Sequence, residues 1–165
     1  RNRSAHCWGR KSNSNVAIIQ YLEVMKTIKE AQQEIIEEFS FFEDWMQRYE
    51  HMIELGKSLP LIDPKYKTED HIIKGCQSKV WVHADLNEAK LYFTADSDAI
   101  ITKGIIAILI QVYSGQAPQE ILAAETDFID QVGLKDHLSP TRANGLVSMI
   151  KQIKLYALAF QTQIQ

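Results

Sequence analysis

The spacing of the apolar residues changes twice along this chain, and that change limits what it can fold into more than any other feature. In the first part the spacing is helical. Ile28, Ile35, Ile36 and Phe39 stand on a Glu- and Gln-rich background between Thr27 and Phe42, and Trp45, Tyr49, Met52 and Ile53 recur at i, i+4, i+7 and i+8. From Ser78 to Leu86 the period falls to two, with Val80, Val82 and Ala84 alternating with Lys79, Trp81 and His83. Lys90 to Ala95 does the same, with Leu91 and Phe93 set against Tyr92 and Thr94. Beyond the second alternating stretch the helical spacing returns and holds to the end. Helices, a hairpin and helices again specify an α+β fold, a small antiparallel sheet packed against N- and C-terminal helices.

Punctuation refines the outline. Gly56 stands where a C-terminal cap would end the second helix. Pro60 and Pro64 mark a loop, and Leu86-Asn87-Glu88-Ala89 turns the hairpin. His71 to Lys74 reads as a short edge strand, which brings the sheet to about three strands. Asp96, Ser97 and Asp98 place capping oxygens at the start of a helix whose apolar run continues through Ile110 and which Gly115 ends. That helix is apolar on most sides and is expected at the centre. Pro118 suits the first turn of a short helix through Ala124, and Thr126 is placed to cap another ending at Gly133. Ser139-Pro140 opens the last helix, with Leu146, Met149, Ile150, Ile153, Ala157 and Phe160 facing inward.

The 165 residues, 45% hydrophobic and 24% charged, suit one globular domain whose core needs no covalent staples. The two cysteines, Cys7 and Cys76, have no paired spacing, which fits a reducing compartment and is read as cytoplasmic. The net charge of -3 is uneven: Arg1, Arg3, Arg10 and Lys11 put +4 in the first fifteen residues, so the rest carries -7. An acidic body lacks the basic face that phosphate binding needs, which argues against nucleic acid as partner. The most apolar run, Ile105 to Ile110, is far shorter than the ~20 residues a bilayer requires, so no membrane span is expected. Residues 1–24, rich in Asn, Ser and Arg and preceding Met25, are expected to be a disordered or extraneous tail before a single domain over 25–165. Intact-mass analysis of protein made from the native gene, if it showed a chain starting well before Met25, would reject that expectation.

The residues with chemical promise are Gly75-Cys76-Gln77-Ser78. Cys76 lies in a turn between an extended piece and a strand, and Gly75 permits backbone angles or a close approach that a side chain forbids. The thiolate is the reactive form, and Lys74 and Lys79 could favour it. A lone cysteine is more commonly an inert buried hydrophobe, so the thiol alone assigns nothing. Trp81 is read as core, and His71 and His83 as structural. Gly104 and Gly145, inside helical patterns at a cost of about 1 kcal/mol each, point to close packing.

Ile73-Lys74-Gly75-Cys76-Gln77-Ser78-Lys79-Val80-Trp81 closely resembles the signature of the SufE family, the cysteine desulfuration proteins of iron–sulfur cluster assembly. Asp96-Ser97-Asp98-Ala99 with Lys103-Gly104 resembles the stretch that follows the family's hairpin, and Leu138-Ser139-Pro140-Thr141-Arg142-Ala143-Asn144-Gly145-Leu146 resembles its C-terminal block. The three blocks fall in order, and the likeness runs roughly from Ile35 to Phe160. It implies the SufE/IscU-like form of the α+β fold. It also implies a sulfur carrier rather than an enzyme with a complete cycle: Cys76 would take persulfide sulfur from a SufS-type cysteine desulfurase, stimulate it, and deliver sulfur to a SufBCD-type scaffold. Pyridoxal phosphate would belong to the desulfurase, with no cofactor or metal on this chain. Gly75, Gln77, Ser78, Asp98 and Arg142 would support Cys76, with Asp98 equally readable as a helix cap and Arg142 as a surface pair.

Three other readings compete. A metal-binding scaffold of the IscU type wants about four good ligands, typically several thiolates. A cysteine hydrolase would need His83 or His137 oriented on Cys76. An interaction module would leave Cys76 incidental.

Overall fold

Each of the first two helices begins on a side chain that satisfies an orphan N–H. In the computed structural model, which describes residues 26–164, α1 spans Ile28–Ser40 and α2 Trp45–Lys57. The expected tail at 1–24 lies outside the described residues. Thr27 and Glu30 form a reciprocal capping box on α1, at 3.1 and 3.0 Å, and Asp44 accepts from the Gln47 N–H at 2.9 Å on α2. Caps of this kind are each worth about 1 kcal/mol.

Gly56 is not a cap. It lies inside α2 and is buried, because α2 crosses the later helix α3 (Ile100–Tyr113) at two glycines. A Cβ on Gly56 would stand 3.0 Å from the Gly104 nitrogen, and one on Gly104 would stand 2.4 Å from the Met52 carbonyl oxygen. The close packing expected at Gly104 is present, and its partner is the residue read as a cap.

The sheet is one hairpin, β1 (Val80–Asn87) and β2 (Lys90–Ser97), antiparallel from the pair Val80 and Ser97 to the pair Asn87 and Lys90. Glu88 and Ala89 turn it with φ of 49° and 63°, the left-handed pair a two-residue hairpin needs. It has two strands rather than the expected three. The chain winds through a 3-10 turn at Glu69–His71 and turns again at Gly75, which leaves only Ile72 and Ile73 extended. They make a single bridge, Ile72 to Trp81, and one bond from the Ile73 N–H to the Val80 carbonyl at 2.8 Å. The edge of β2 is covered in turn by residues 60–62, through bonds exchanged with Ala95.

One face of the hairpin, with Val80, Val82, Ala84, Leu91, Phe93 and Ala95, is buried against α3. Ten of the fourteen residues of α3 are buried, so it has almost no solvent side and is the central helix the sequence indicates. At ~1.5–3 kcal/mol per fully buried large apolar side chain, this layer dominates the stability of the domain. The opposite face of β1 carries Trp81, which is therefore not core: the Lys67 ammonium sits 5.3 Å over its ring. His83 and His71 are structural. They meet at 3.3 Å, and Tyr66 stacks on His83 at 3.6 Å.

After α3 come α4 (Pro118–Ala123), α5 (Phe128–Val132), α6 (Leu134–His137) and the long α7 (Pro140–Ile164). Asp127, not Thr126, precedes α5, and α4 stops one residue before Ala124. The inner face of α7 buries Leu146, Met149, Ile153 and Ala157, while Ile150 and Phe160 are half-buried at its margin. The Tyr156 hydroxyl donates to the Val82 carbonyl at 2.8 Å and ties α7 to β1. Among the described residues no helix is long and apolar enough to cross a membrane.

Candidate functional site

Cys76 sits where the loop leading into β1 is pressed between α3 and α7. Gly75 makes that possible in two ways: its φ is +95°, and a Cβ there would stand 2.5 Å from the Ser148 hydroxyl on α7. On the next residue, the Cys76 Sγ points at α7 and lies 3.6 Å from the Gly145 carbonyl, to which the thiol donates. Gly145 packs against this thiol: a Cβ there would be 3.4 Å from Sγ, in ordinary contact with it.

The thiol is half-buried and opens on a cavity of about 60 Å³. Gln77 and Ser78 of the loop, Thr102 and Ile105 of α3, and Thr141 and Arg142 of α7 line it with Cys76. On the same measure a water-sized occupant takes about 10–15 Å³, so the cavity has room for one further atom the size of sulfur. Burial pushes the Cys76 thiol above its ordinary value of 9.0, and Lys74 and Lys79 do not offset this. The resting group is therefore a neutral thiol.

Four of the residues singled out from the sequence are brought together here: Cys76, Gln77, Ser78 and Arg142. Gly75 acts from behind, by backbone shape. Arg142 is exposed at the rim in the first turn of α7, its backbone N–H bonded to the Ser139 hydroxyl at 3.3 Å. Asp98 lies outside the cavity and does not cap α3, whose N-cap is Ala99 with no side-chain bond. Its Oδ1 accepts from the Lys79 N–H at 3.0 Å and its own N–H donates to the Lys79 carbonyl, so it clamps the base of the hairpin directly after the Cys76 loop.

Beside it, Asp96 binds Lys67 at 2.5 Å and Lys103 at 3.3 Å. Burial by itself would raise this carboxyl, but the bonds from Lys67, the Ser97 N–H and Lys103 outweigh it and hold the group below the usual carboxylate range. The cluster ties the segment before Cys76 to β2 and to α3.

Thr102 is the lining residue that the sequence reading missed. The available signal is a hydroxyl residue between the apolar pair Ile100-Ile101 and Lys103, and only the cavity it shares with Cys76 gives it meaning.

The other readings of Cys76 find little support. His83 is engaged with His71 and Asp85, and His137 stacks on Trp45 at 3.8 Å; neither lines the cavity. Among the described residues no group of three or more His, Cys, Asp or Glu side chains is placed to hold a metal ion.

The family model for SufE, the Fe-S metabolism associated domain, matches residues 33–157. The chain belongs to the SufE family. An uncharacterized SufE-like protein of Rhizobium meliloti is 41% identical over 126 residues, 73% of this chain and 90% of its own length. One from Synechocystis is 39% identical over 127 residues, 77% of this chain and 80% of its own. SufE-like protein 1 of Arabidopsis thaliana, described as chloroplastic/mitochondrial, is 37% identical over 132 residues, 79% of this chain but 36% of the longer plant protein. The solution structure of a hypothetical protein from Thermus thermophilus shares the fold, with a TM-score of 0.68 at 21% identity over 80% of this chain and 96% of that one. A SufE domain places the protein in iron–sulfur metabolism.

Proposed function

We propose that the protein is a sulfur carrier: Cys76 accepts persulfide sulfur from a SufS-type cysteine desulfurase, stimulates that enzyme, and passes the sulfur to a SufBCD-type scaffold. The observation that carries this reading is the pairing of one half-buried thiol with a cavity large enough for a second sulfur and free of histidine or carboxylate side chains. Such a site has nothing with which to run hydrolysis. It can hold a sulfur.

The transfer is an exchange. The Cys76 thiolate attacks the outer sulfur of the donor persulfide, a new S–S bond forms at Cys76, the donor's S–S bond breaks, and the donor leaves as a thiolate. No net oxidation occurs and no cofactor is consumed, and the pyridoxal phosphate that generates the donor stays on the desulfurase. Because burial keeps the resting thiol neutral, docking must bring the 74–79 loop outward or supply a base. The same burial protects a loaded persulfide from oxidants and reductants between partners. A reducing compartment, the cytoplasm, suits a carrier with an unpaired thiol; the plastid or mitochondrial setting in the Arabidopsis relative's name offers the same conditions.

The test is turnover of a pyridoxal-phosphate cysteine desulfurase, followed by alanine release, with and without this protein. Stimulation by the wild type that is lost in Cys76→Ala, with the fold intact by circular dichroism, supports the carrier. Equal stimulation by both variants would assign the protein to partner binding without sulfur transfer.

A further inference from the structure

The chain has eighteen lysines and arginines, and four of them precede the described residues, which leaves fourteen. Nine of the fourteen have a partner for the side chain, in an ion pair, a hydrogen bond or a ring contact. Among the described residues the side chains of the other five, Lys29, Lys74, Lys79, Arg142 and Lys151, have none. Four of the five surround Cys76. Lys74 and Lys79 flank it in the loop, Arg142 lines its cavity, and Lys151 shares with Lys74 a groove between residues 69–74 and α7. All four are exposed, and Glu69 and Asp70, which line the same groove, pair with neither lysine. In a body that carries -7, carboxylates are plentiful, so cations left unpaired in one place need a reason. The interior of the protein supplies none. Cations serving the thiolate would draw the thiol down, whereas burial pushes Cys76 up without offset. Arg142 stands in the first turn of α7, at the positive end of its dipole, where a cation does nothing for the helix.

We propose that Lys74, Lys79, Arg142 and Lys151 form a basic collar that receives an acidic surface of the sulfur-donating desulfurase, the surface around its persulfide cysteine. This rests on the carrier reading above and adds to it the chemistry of the face that docks. A nucleic acid would need a more extended basic face than four side chains on an acidic body. An acidic patch on a protein needs only the collar. Opposite charges at the rim of an interface steer the encounter and set its salt dependence more than they set the final affinity. The acidic remainder of this chain repels the same patch, so the donor is turned toward Cys76 before contact is made.

The experiment follows sulfur uptake by intact-mass spectrometry at rising concentrations of an active SufS-type desulfurase with cysteine, at low and at high salt. Wild type is compared with Lys74→Glu, Lys151→Glu and Lys29→Glu, three variants with the same change in net charge, and a thermal melt confirms that each folds. The half-maximal desulfurase concentration at low salt should rise about fivefold or more in Lys74→Glu and in Lys151→Glu, and the difference from wild type should shrink at high salt. Lys29→Glu, with its charge reversed away from the collar, should match wild type. Equal half-maximal concentrations in all four proteins would overturn the proposal. So would an equal rise in Lys29→Glu, which would trace the effect to net charge alone. A wild type that self-associates at low salt, with Lys151→Glu remaining monomeric, would give the collar to a second copy and overturn it as well. If the wild type takes up no sulfur at any desulfurase concentration, the carrier reading itself fails.

Discussion

Replacing Gly104 by alanine tests the close crossing of α2 and α3. In a solvent-facing helix this change is favourable, worth about 1 kcal/mol from helix propensity alone. Here the new methyl would lie 2.4 Å from the Met52 carbonyl oxygen, 2.8 Å from its carbonyl carbon and 3.2 Å from its Cβ. Favourable heavy-atom contacts begin near ~3.5 Å, so α2 and α3 must part by about 1 Å. The obstacle is backbone, and no rotamer change relieves it. Overpacking of this kind costs ~1–3 kcal/mol, and rigid backbone on both sides puts the cost at or above the upper end. After the propensity gain, a net loss of about 2 kcal/mol remains. For a chain of this size that lowers the melting temperature by roughly 4–8 °C. Gly56→Ala, whose methyl would be 3.0 Å from the Gly104 nitrogen, should lose less. Thermal and urea unfolding of both variants give the comparison. A Gly104→Ala protein more stable than wild type would refute the close helix crossing.

Gly145→Ala should fold at least as well as wild type, since 3.4 Å from Sγ is tolerable contact, yet it takes volume from the cavity and should slow sulfur loading several-fold in a desulfurase assay. Alkylation of the resting Cys76 by iodoacetamide should rise with pH along a curve centred above 9.0, because burial disfavours the thiolate; a midpoint below that value would mean that Lys74 or Lys79 governs the thiol. Asp96 is held below its ordinary 3.8, so its stabilising contribution is fully present above that pH and is lost as pH falls through the lower folded value. The melting-temperature gap between wild type and Asp96→Asn should therefore be constant near neutrality and shrink under acid, and a gap that survives acidification contradicts the ion cluster.

What could be read from the sequence was what local spacing determines. The phase of Val80, Val82 and Ala84 names the buried face of β1, and the same phase puts Trp81 on the other face, so reading Trp81 as core gave its size more weight than its position. The hairpin was legible from the gap between two alternating runs even though Glu88 and Ala89 are unusual at positive φ. Gly56 was illegible because a capping glycine and one that admits a neighbouring helix look alike until the partner, Gly104, is known. Residues 71–74 looked extended, but a strand needs a ladder, and the turns on either side leave room for one bridge. At the site, Cys76 and its loop were visible, since Gly75 and the flanking residues are contiguous. The far wall comes from residues on α3 and α7, Gly145 among them 69 positions away, and no local pattern announces that residue 102 will line a cavity with residue 76.

The most direct test is the mass of the protein itself. Incubated with an active cysteine desulfurase and cysteine, the wild type should gain one sulfur atom on Cys76, removable by reductant and absent in Cys76→Ala. An unchanged mass with the desulfurase turning over, or a gain that persists in Cys76→Ala, would contradict the assignment of Cys76 as the sulfur acceptor.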